Sequence, residues 1–257
     1  MKGLVMSQSK MPELLAVGES HRGCVRNHNE DNFLCISRYN GYCFAAVADG
    51  VGGHSAGEQA SYLCCHRLML DWKELFKNDP APSDSRITSF LVECVKIANK
   101  DITGLNRELH KTHPMCTTLA AAVFTPQMVI VVHVGDSRVY CLRNNKLNLL
   151  TCDHTVQNEM VEQGITGNLP GSHVISKAIG CDRYLKPEIH TFYRAAEDRY
   201  LLCTDGVTNC WSNSEIGEVL AMSSDPRWVK DRMIRDSLLR GACDNVTVVT
   251  VFPAEQV

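Results

Sequence analysis

The chain of 257 residues has no excess of basic charge: 26 Lys and Arg stand against 29 Asp and Glu, for a formal net charge of -3. That balance provides no positive field to hold a nucleic-acid backbone or an anionic membrane surface, which argues against functions that need one. No apolar run approaches the roughly 18 residues that span a bilayer. The stretch from Met1 to Pro12 lacks the charged, then apolar, then small-residue layout of a secretory signal. The chain reads as cytoplasmic, with neither nucleic acid nor membrane as a partner.

A cysteine framework is also missing. The 13 cysteines are odd in number, no Cys-x-x-Cys occurs, and the only close pair is the adjacent Cys64 and Cys65. Cys35, Cys43, Cys94, Cys141 and Cys203 sit in apolar segments, where free cysteine packs as a small hydrophobe in a reducing compartment. There is no internal repeat, low-complexity tract or Pro/Gly/Ser linker beyond a short polar stretch over residues 78–85. With 44% apolar residues, this length fills one core, and a single domain over 13–254 behind a flexible tail (1–12) is expected.

Residues 55–77 have helical composition, and Ile87, Phe90, Leu91, Cys94, Ala98, Ile102, Leu105 and Leu109 recur at three- and four-residue steps, which predicts one buried helical face. A third helix starts with Asp225 as N-cap and Pro226 in its first position, and stops at Gly241. Short segments rich in Val, Ala, Phe and Tyr read as strands at 42–48, 119–125, 128–134, 138–142, 200–203 and 246–252. Strands follow one another over 119–142 without a helix between them. The expected fold class is therefore α+β, an antiparallel sandwich covered by helices.

Three aspartates share one local pattern, an apolar strand running into an Asp beside a glycine: FAAVADG at Asp49, VVHVGDSR at Asp136 and YLLCTDG at Asp205. Asp244 opens the strand DNVTVVTV from its other end, and Glu30 and Asp31 lie in the polar turn HNEDN. A lone Asp-Gly at a strand end is ordinarily a turn residue. Several carboxylates delivered to one rim of a sandwich, without a Cys or His ligand set, instead suit hard cations such as Mg2+, Mn2+ or Ca2+ and disfavour zinc. Two divalent ions best offset so much negative charge, and a pair of metals can activate water for attack on a phosphoryl group.

These residues resemble the metal-dependent serine/threonine protein phosphatases of type 2C, in order and over nearly the whole chain. The matching stretches are GCVRNHNEDN (23–32), AVADGVGG (46–53), CTTLA (116–120), VGDSRVY (134–140), DHT (153–155), ISKAIG (175–180), LCTDGV (202–207) and DNVT (244–247). The resemblance implies a four-layer α-β-β-α sandwich, two antiparallel sheets flanked by helix pairs. It also implies two Mn2+ or Mg2+ ions bridged by Asp49, with Asp205 and Asp244 completing one site and Glu30 with the Gly50 carbonyl serving the other. Asp136 would share a third, looser ion with Asp205. Arg26 would grip the substrate phosphate, Asp31 would orient water, and Asn245 and Arg138 would steady the turns that present the carboxylates. Arg26, Asp49 and Asp205 are thus the expected catalytic set.

The implied activity is hydrolysis of phosphoserine and phosphothreonine in proteins, opposing a bacterial Ser/Thr kinase, by a monomer. The absence of a Cys-x5-Arg phosphate loop agrees, because cysteine-dependent phosphatases need that anion-binding turn. Two other readings stay open: a phosphoprotein-binding scaffold with a weak or inactive site, and a metallohydrolase of small phosphate esters. Many animal members of the family carry a histidine after the Asp-Gly, where this chain has Val51, so no general acid is assigned there and His54 is left outside the catalytic set. Cys116 stands where glycine is common, an effect on packing. Residues 155–175 cover a short flap, read from Gly164, Gly167, Pro170 and Gly171 as a mobile loop that tunes substrate choice. His133 and His154 are read as hydrogen-bonded structural residues.

Overall fold

A computed structural model describes residues 11–52, 55–110, 112–167, 169–171, 173–181 and 184–254. Most of the expected tail (1–12) and His54 therefore lie outside the described residues. Two strands, β1 (Leu14–His21) and β2 (Asn32–Tyr39), precede β3 (Tyr42–Ala48) and the short β4 (Gly50–Val51). Two long helices follow, α1 (Ser55–Asn78) and α2 (Asp84–Glu108). Next come β5 (Cys116–Thr117), β6 (Leu119–Phe124), β7 (Met128–Val134), β8 (Arg138–Arg143), β9 (Lys146–Leu149) and the short helix α3 (Val156–Glu162). The chain continues through β10 (Glu188–Tyr193), β11 (Arg199–Cys203), α4 (Asp205–Thr208), α5 (Asn213–Met222), α6 (Pro226–Leu239) and β12 (Val246–Pro253).

One sheet has the order β1-β12-β11-β8-β9 and the other β10-β7-β6-β3-β2, antiparallel throughout. Alternate residues of β3 show how the layers stack. Cys43, Ala45 and Val47 face the other sheet, meeting Val139, Leu202 and Val249. Phe44, Ala46 and Ala48 face α1 and α2, meeting Leu68, Trp72 and Leu91. A third core lies on the outer face of the first sheet, where Tyr140, Leu201 and Val248 meet Ile216 and Val219 of α5 and Met233 of α6. The four-layer sandwich is thus present. Among the described residues, no helix is long and apolar enough to cross a membrane. All the cysteines are free.

Trp72 anchors the helical layer, fully buried with its ring centroid 4.5 Å from Phe76 and 4.9 Å from Phe44. Trp72→Ala is expected to lower the unfolding free energy by about 3–5 kcal/mol, because a void that size is refilled only in part. Urea denaturation reads the change as a lower midpoint at unchanged slope.

The sequence reading finds all six central strands of the two sheets and misses the four edges, β1, β9, β10 and β2. Central strands such as β3 and β12 are buried on both faces and read as continuous apolar runs, whereas the edge β10 (EIHTFY) has no buried position. Two of the missed edges carry a turn signal. Asn40-Gly41 joins β2 to β3 and Asn144-Asn145 joins β8 to β9, all four residues with left-handed φ of 51, 82, 52 and 59 degrees.

Among helices, the sequence reading misses the short α4 and α5. α3 corrects the reading of the flap as loop from its start: Thr155 caps it by accepting from the Asn158 amide at 3.2 Å, yet it buries no residue and so leaves no apolar stripe to read. The expected face of α2 is correct except at its end, where Leu109 is the C-cap and stands exposed.

Candidate metal centre

Asp49 follows β3, and its backbone is clamped on both sides. Its amide donates to Thr118 Oγ1 at 3.0 Å, and its carbonyl accepts from the Thr118 amide at 2.8 Å and Thr117 Oγ1 at 2.9 Å. The next residue has to be glycine: a Cβ at Gly50 would lie 2.2 Å from the Gly57 carbonyl oxygen and 2.5 Å from that of Glu30. This close approach carries a hydrogen bond, from the Gly50 amide to the Glu30 carbonyl at 3.2 Å, that joins the DG turn to the HNEDN turn.

Asn245 fixes that second turn from the far end of the chain. Its Oδ1 accepts from the Glu30 amide at 2.8 Å, while its Nδ2 donates to the carbonyls of Arg22 at 3.0 Å and His28 at 2.9 Å. The GDS turn between β7 and β8 is held by Arg138, whose Nε and Nη2 reach Asp153 at 2.9 and 2.6 Å, and by Ser137 Oγ, 2.7 Å from Thr118 Oγ1. Asp205 opens α4, packed so closely that a Cβ on Gly206 would lie 1.9 Å from the Asn245 carbonyl oxygen.

The result is a cavity of about 550 Å3 lined by Arg26, Glu30, Asp49, Gly50, Asp136, Asp205, Asp244 and Asn245. Of the residues expected at the site from the sequence, Asp31 and the turn-holding Arg138 do not line it; Asp31 is buried at 5% exposure and bonded through Oδ2 to Thr204 Oγ1 at 2.8 Å and Thr247 Oγ1 at 2.6 Å. The sequence reading gives no role at the cavity to Thr118, His28, His173 or Ile175, which also line it. Thr118 lies within the CTTLA stretch; the flap residue His173 carries no sequence signal. Arg26 is exposed and spends one donor on Asp244 Oδ2 at 2.8 Å.

Burial and mutual repulsion raise the affinity of these carboxyls for protons. Burial pushes Asp31 up to about 7 against the pull of its Thr247 and Thr204 hydrogen bonds, with Asp205 and Asp244 adding repulsion. Burial, then Asp205 and Asp153, raise Asp136 to about 7. Asp49 is raised well above the usual carboxylate range, by burial and by Asp31, Asp205, Asp136 and Asp244, and Asp205 is raised by burial and Asp244. Oδ1 of Asp31 and Oδ1 of Asp205 are buried without a hydrogen-bond partner. Unspent oxygens, crowded carboxylates and a glycine carbonyl form a donor set that fits hard divalent cations.

The family model described as Protein phosphatase 2C matches residues 17–232. The chain is similar to the serine/threonine phosphatase stp of Listeria monocytogenes, 32% identical over 237 residues, which cover 90% of this chain and 92% of that one. It is 36% identical over 236 residues to the serine/threonine protein phosphatase PstP of Mycobacterium tuberculosis, covering 90% of this chain and 43% of that one. Among solved structures, the S. agalactiae serine/threonine phosphatase superposes with a TM-score of 0.82 at 28% identity, covering 94% and 100% of the two chains. The catalytic domain of PstP in complex with two manganese ions gives 0.79 at 33% identity, covering 95% and 99%. Matched in sequence over nine-tenths of its length and in fold across both sheets, the chain belongs to the protein phosphatase 2C family, the metal-dependent serine/threonine protein phosphatases.

Proposed function

We propose that the chain hydrolyses phosphoserine and phosphothreonine in proteins at a binuclear Mn2+ or Mg2+ centre held by Asp49, Asp205, Asp244, Glu30 and the Gly50 carbonyl. The observation that carries this reading is the meeting of all five in one cavity, among carboxyls that burial and like charge drive to hold protons. The relative solved with two manganese ions supports the ion count. When bound, two such ions lower the pKa of water and offset charge on a phosphoryl group.

Asp49 feels the charges of Asp31, Asp205, Asp136 and Asp244, and would be the carboxylate central to holding the ions. Asp136 with Asp205 offers a third, weaker site. Arg26 keeps most of its five donors beside Asp244 for the substrate phosphate, a planar fork matched to phosphate oxygens. Asn245 and the Arg138–Asp153 pair hold the turns at fixed spacing, and Asp31 orients what the ions bind. The substrates imply a counterpart Ser/Thr kinase, and a site built within one chain suits a monomeric domain over 13–254.

The test is turnover of a phosphothreonine peptide with Mn2+, with Mg2+ or with EDTA. Turnover confined to the metal-loaded protein is expected; a folded, metal-bound protein without turnover would favour a phosphoprotein-binding module. In the same assay, Arg26→Ala is expected to lower kcat/KM by about 10- to 100-fold, the value of charge-assisted hydrogen bonds to phosphate. Its exposure predicts an unchanged circular dichroism spectrum and melting temperature.

A further inference from the structure

Two thiols meet beside the short strand that backs the Asp49–Gly50 turn. β5 has a partner on each side. On one lies β4, with Gly50 opposite Thr117 and Val51 opposite Cys116; on the other lies the segment returning from the flap, with Ile179 opposite Thr117. Thr117 and Ile179 exchange both amide-to-carbonyl hydrogen bonds, at 3.0 and 2.9 Å. Just beyond this bridge the thiols of Cys116 and Cys181 are hydrogen-bonded to each other. Cys116 is buried at 6% exposure, Cys181 is exposed, and both are free. We infer that Cys116 and Cys181 are a hydroperoxide-sensitive pair that closes into a disulfide and acts through β5 on the Asp49–Gly50 turn.

The backbone around the two thiols is fixed before any bond forms. Asn106, buried in α2, donates through Nδ2 to the carbonyls of Met115 at 2.9 Å and Gly180 at 3.1 Å, and its Oδ1 accepts from the Met115 amide at 2.9 Å. Asn99 Oδ1 accepts from the Gly180 amide at 2.7 Å. Gly180 has a left-handed φ of 99 degrees and lies so close to the chain entering β5 that a Cβ on it would stand 2.7 Å from the Met115 carbonyl oxygen. The residues just before the two cysteines are thus bound to one side chain, and little backbone freedom is left to lose when the sulfurs join.

The two thiols have unequal parts. Cys181 lines a cavity of about 600 Å3 with Thr103, Asn106 and Arg107, which admits a small oxidant. The hydrogen bond from Cys116 holds the Cys181 thiol below its ordinary range, against its partial burial, whereas the same bond and then burial push Cys116 up. Because the thiolate is the nucleophile, Cys181 is the attacking sulfur and Cys116 the resolving one. In the first step the Cys181 thiolate attacks one oxygen of a hydroperoxide. An S–O bond forms, the O–O bond breaks, and the departing oxygen takes up the proton that Cys181 released, leaving a sulfenic acid. In the second step the Cys116 sulfur attacks that sulfur. The S–S bond forms, the S–O bond breaks, and the hydroxyl leaves as water with the Cys116 proton. Two thiols are oxidised by two electrons in all, and the hydroperoxide is reduced to an alcohol, or to water, plus one water. A thiol reductant reverses the bond by exchange.

An S–S bond of about 2.05 Å is shorter than a hydrogen bond between thiols, so its closure draws β5 and the Gly180 turn together. The tight packing of Gly180 on Met115 leaves no slack to absorb that movement locally. Thr117 passes it on, because its Oγ1 donates to the Asp49 carbonyl at 2.9 Å and its strand is paired with Gly50. A displacement of about 1 Å at a reacting group can lower turnover by about 100-fold.

The experiment treats the full chain with equimolar hydrogen peroxide, blocks the remaining thiols with iodoacetamide and maps crosslinked peptides by mass spectrometry, in wild type, Cys181→Ser and Cys116→Ala. Wild type is expected to yield a Cys116–Cys181 disulfide that dithiothreitol removes. With dimedone present, Cys116→Ala should be labelled at Cys181, its sulfenic acid now unresolved, and Cys181→Ser should leave the buried Cys116 unlabelled. In the oxidised wild type, Mn2+-dependent turnover of the phosphothreonine peptide is expected to fall by at least about tenfold and to return with dithiothreitol. Cys181→Ser, altered only at an exposed side chain, should match reduced wild type in turnover and Tm and keep that turnover under peroxide. The crosslink is read without any turnover, so it decides the pairing whether or not the proposed hydrolysis holds. Absence of the crosslink, or an equal oxidative loss of turnover in wild type and Cys181→Ser, would overturn the proposal.

Discussion

Asp49→Asn is expected to reduce Mn2+-dependent hydrolysis by about three orders of magnitude or more, the scale of losing a principal transition-state electrostatic group. The same change is expected to stabilise the metal-free protein, by the roughly 0.5–2 kcal/mol typical of a stabilising substitution, since burial and then the neighbouring Asp31, Asp205, Asp136 and Asp244 disfavour the charge that it removes. Asparagine keeps the shape of the side chain and leaves intact the backbone bonds from Thr117 and Thr118 that hold the turn. Opposite movement of activity and stability is the mark of a residue kept for chemistry. Steady-state kinetics with the phosphothreonine peptide and calorimetry in EDTA measure the two effects. Near-normal turnover would remove Asp49 from the centre, and a lower Tm in EDTA would show that its charge is compensated within the protein.

The metal-free protein is also expected to lose stability as pH rises from 5 to 8. Unfolded aspartates titrate near 3.8, while folded Asp31 and Asp136 titrate at about 7 and Asp49 and Asp205 are raised as well. Between these values the native state holds protons that the unfolded state has released, so stability falls with rising pH. The contribution is fully present below the unfolded value and is gone above the folded one. Every tenfold gain in proton affinity on folding is worth about 1.4 kcal/mol, and neighbouring groups that share protons contribute less than their sum, so an effect of several kcal/mol overall is expected. His133 opposes this, because its depressed folded value makes the unfolded state the better proton binder from about 4 to 6.5.

Added Mn2+ should reverse the trend, because the ions require deprotonated ligands and bind more tightly as pH rises. Melting curves at pH 5 and pH 8, with EDTA or Mn2+, decide the matter. A Tm in EDTA that stays level or climbs between these values would refute the account of crowded, proton-holding carboxyls.

Much of this architecture is legible in the sequence because central strands and catalytic turns are the parts most tightly constrained. β3 and β12 are covered on both faces and announce themselves as apolar runs. Asp49, Asp136 and Asp205 announce themselves because each ends such a run beside a glycine. Edge strands obey weaker demands: β1 shows only two fully buried positions in LLAVGESH, and no periodicity marks it. The flap helix depends on a cap and on contacts such as Ser176 Oγ to Glu159 Oε1 at 2.7 Å, which a sequence pattern does not display.

Convergence is harder to read than identity. That Asn245 reaches Arg22, His28 and Glu30, or that Glu188 faces His133, follows from pairings between residues far apart in the chain.

The order of the first sheet governs when the enzyme can come into being. Among the described residues, β1 pairs with β12 alone, which lies between it and β11. A nascent chain that has emerged as far as residue 240 holds Glu30, Asp49, Asp136 and Asp205, yet its first strand has nothing to pair with. The loop that closes when β12 slots in spans more than two hundred residues, from Leu14 to Pro253. Closures of such sequence separation are slow, and synthesis at about 5–20 residues per second leaves β1 waiting for many seconds. The last strand brings Asp244 and Asn245 with it, so the fold and the acidic cavity are completed in one late event, and a partly made chain has no finished cavity in which to act on phosphoproteins around the ribosome.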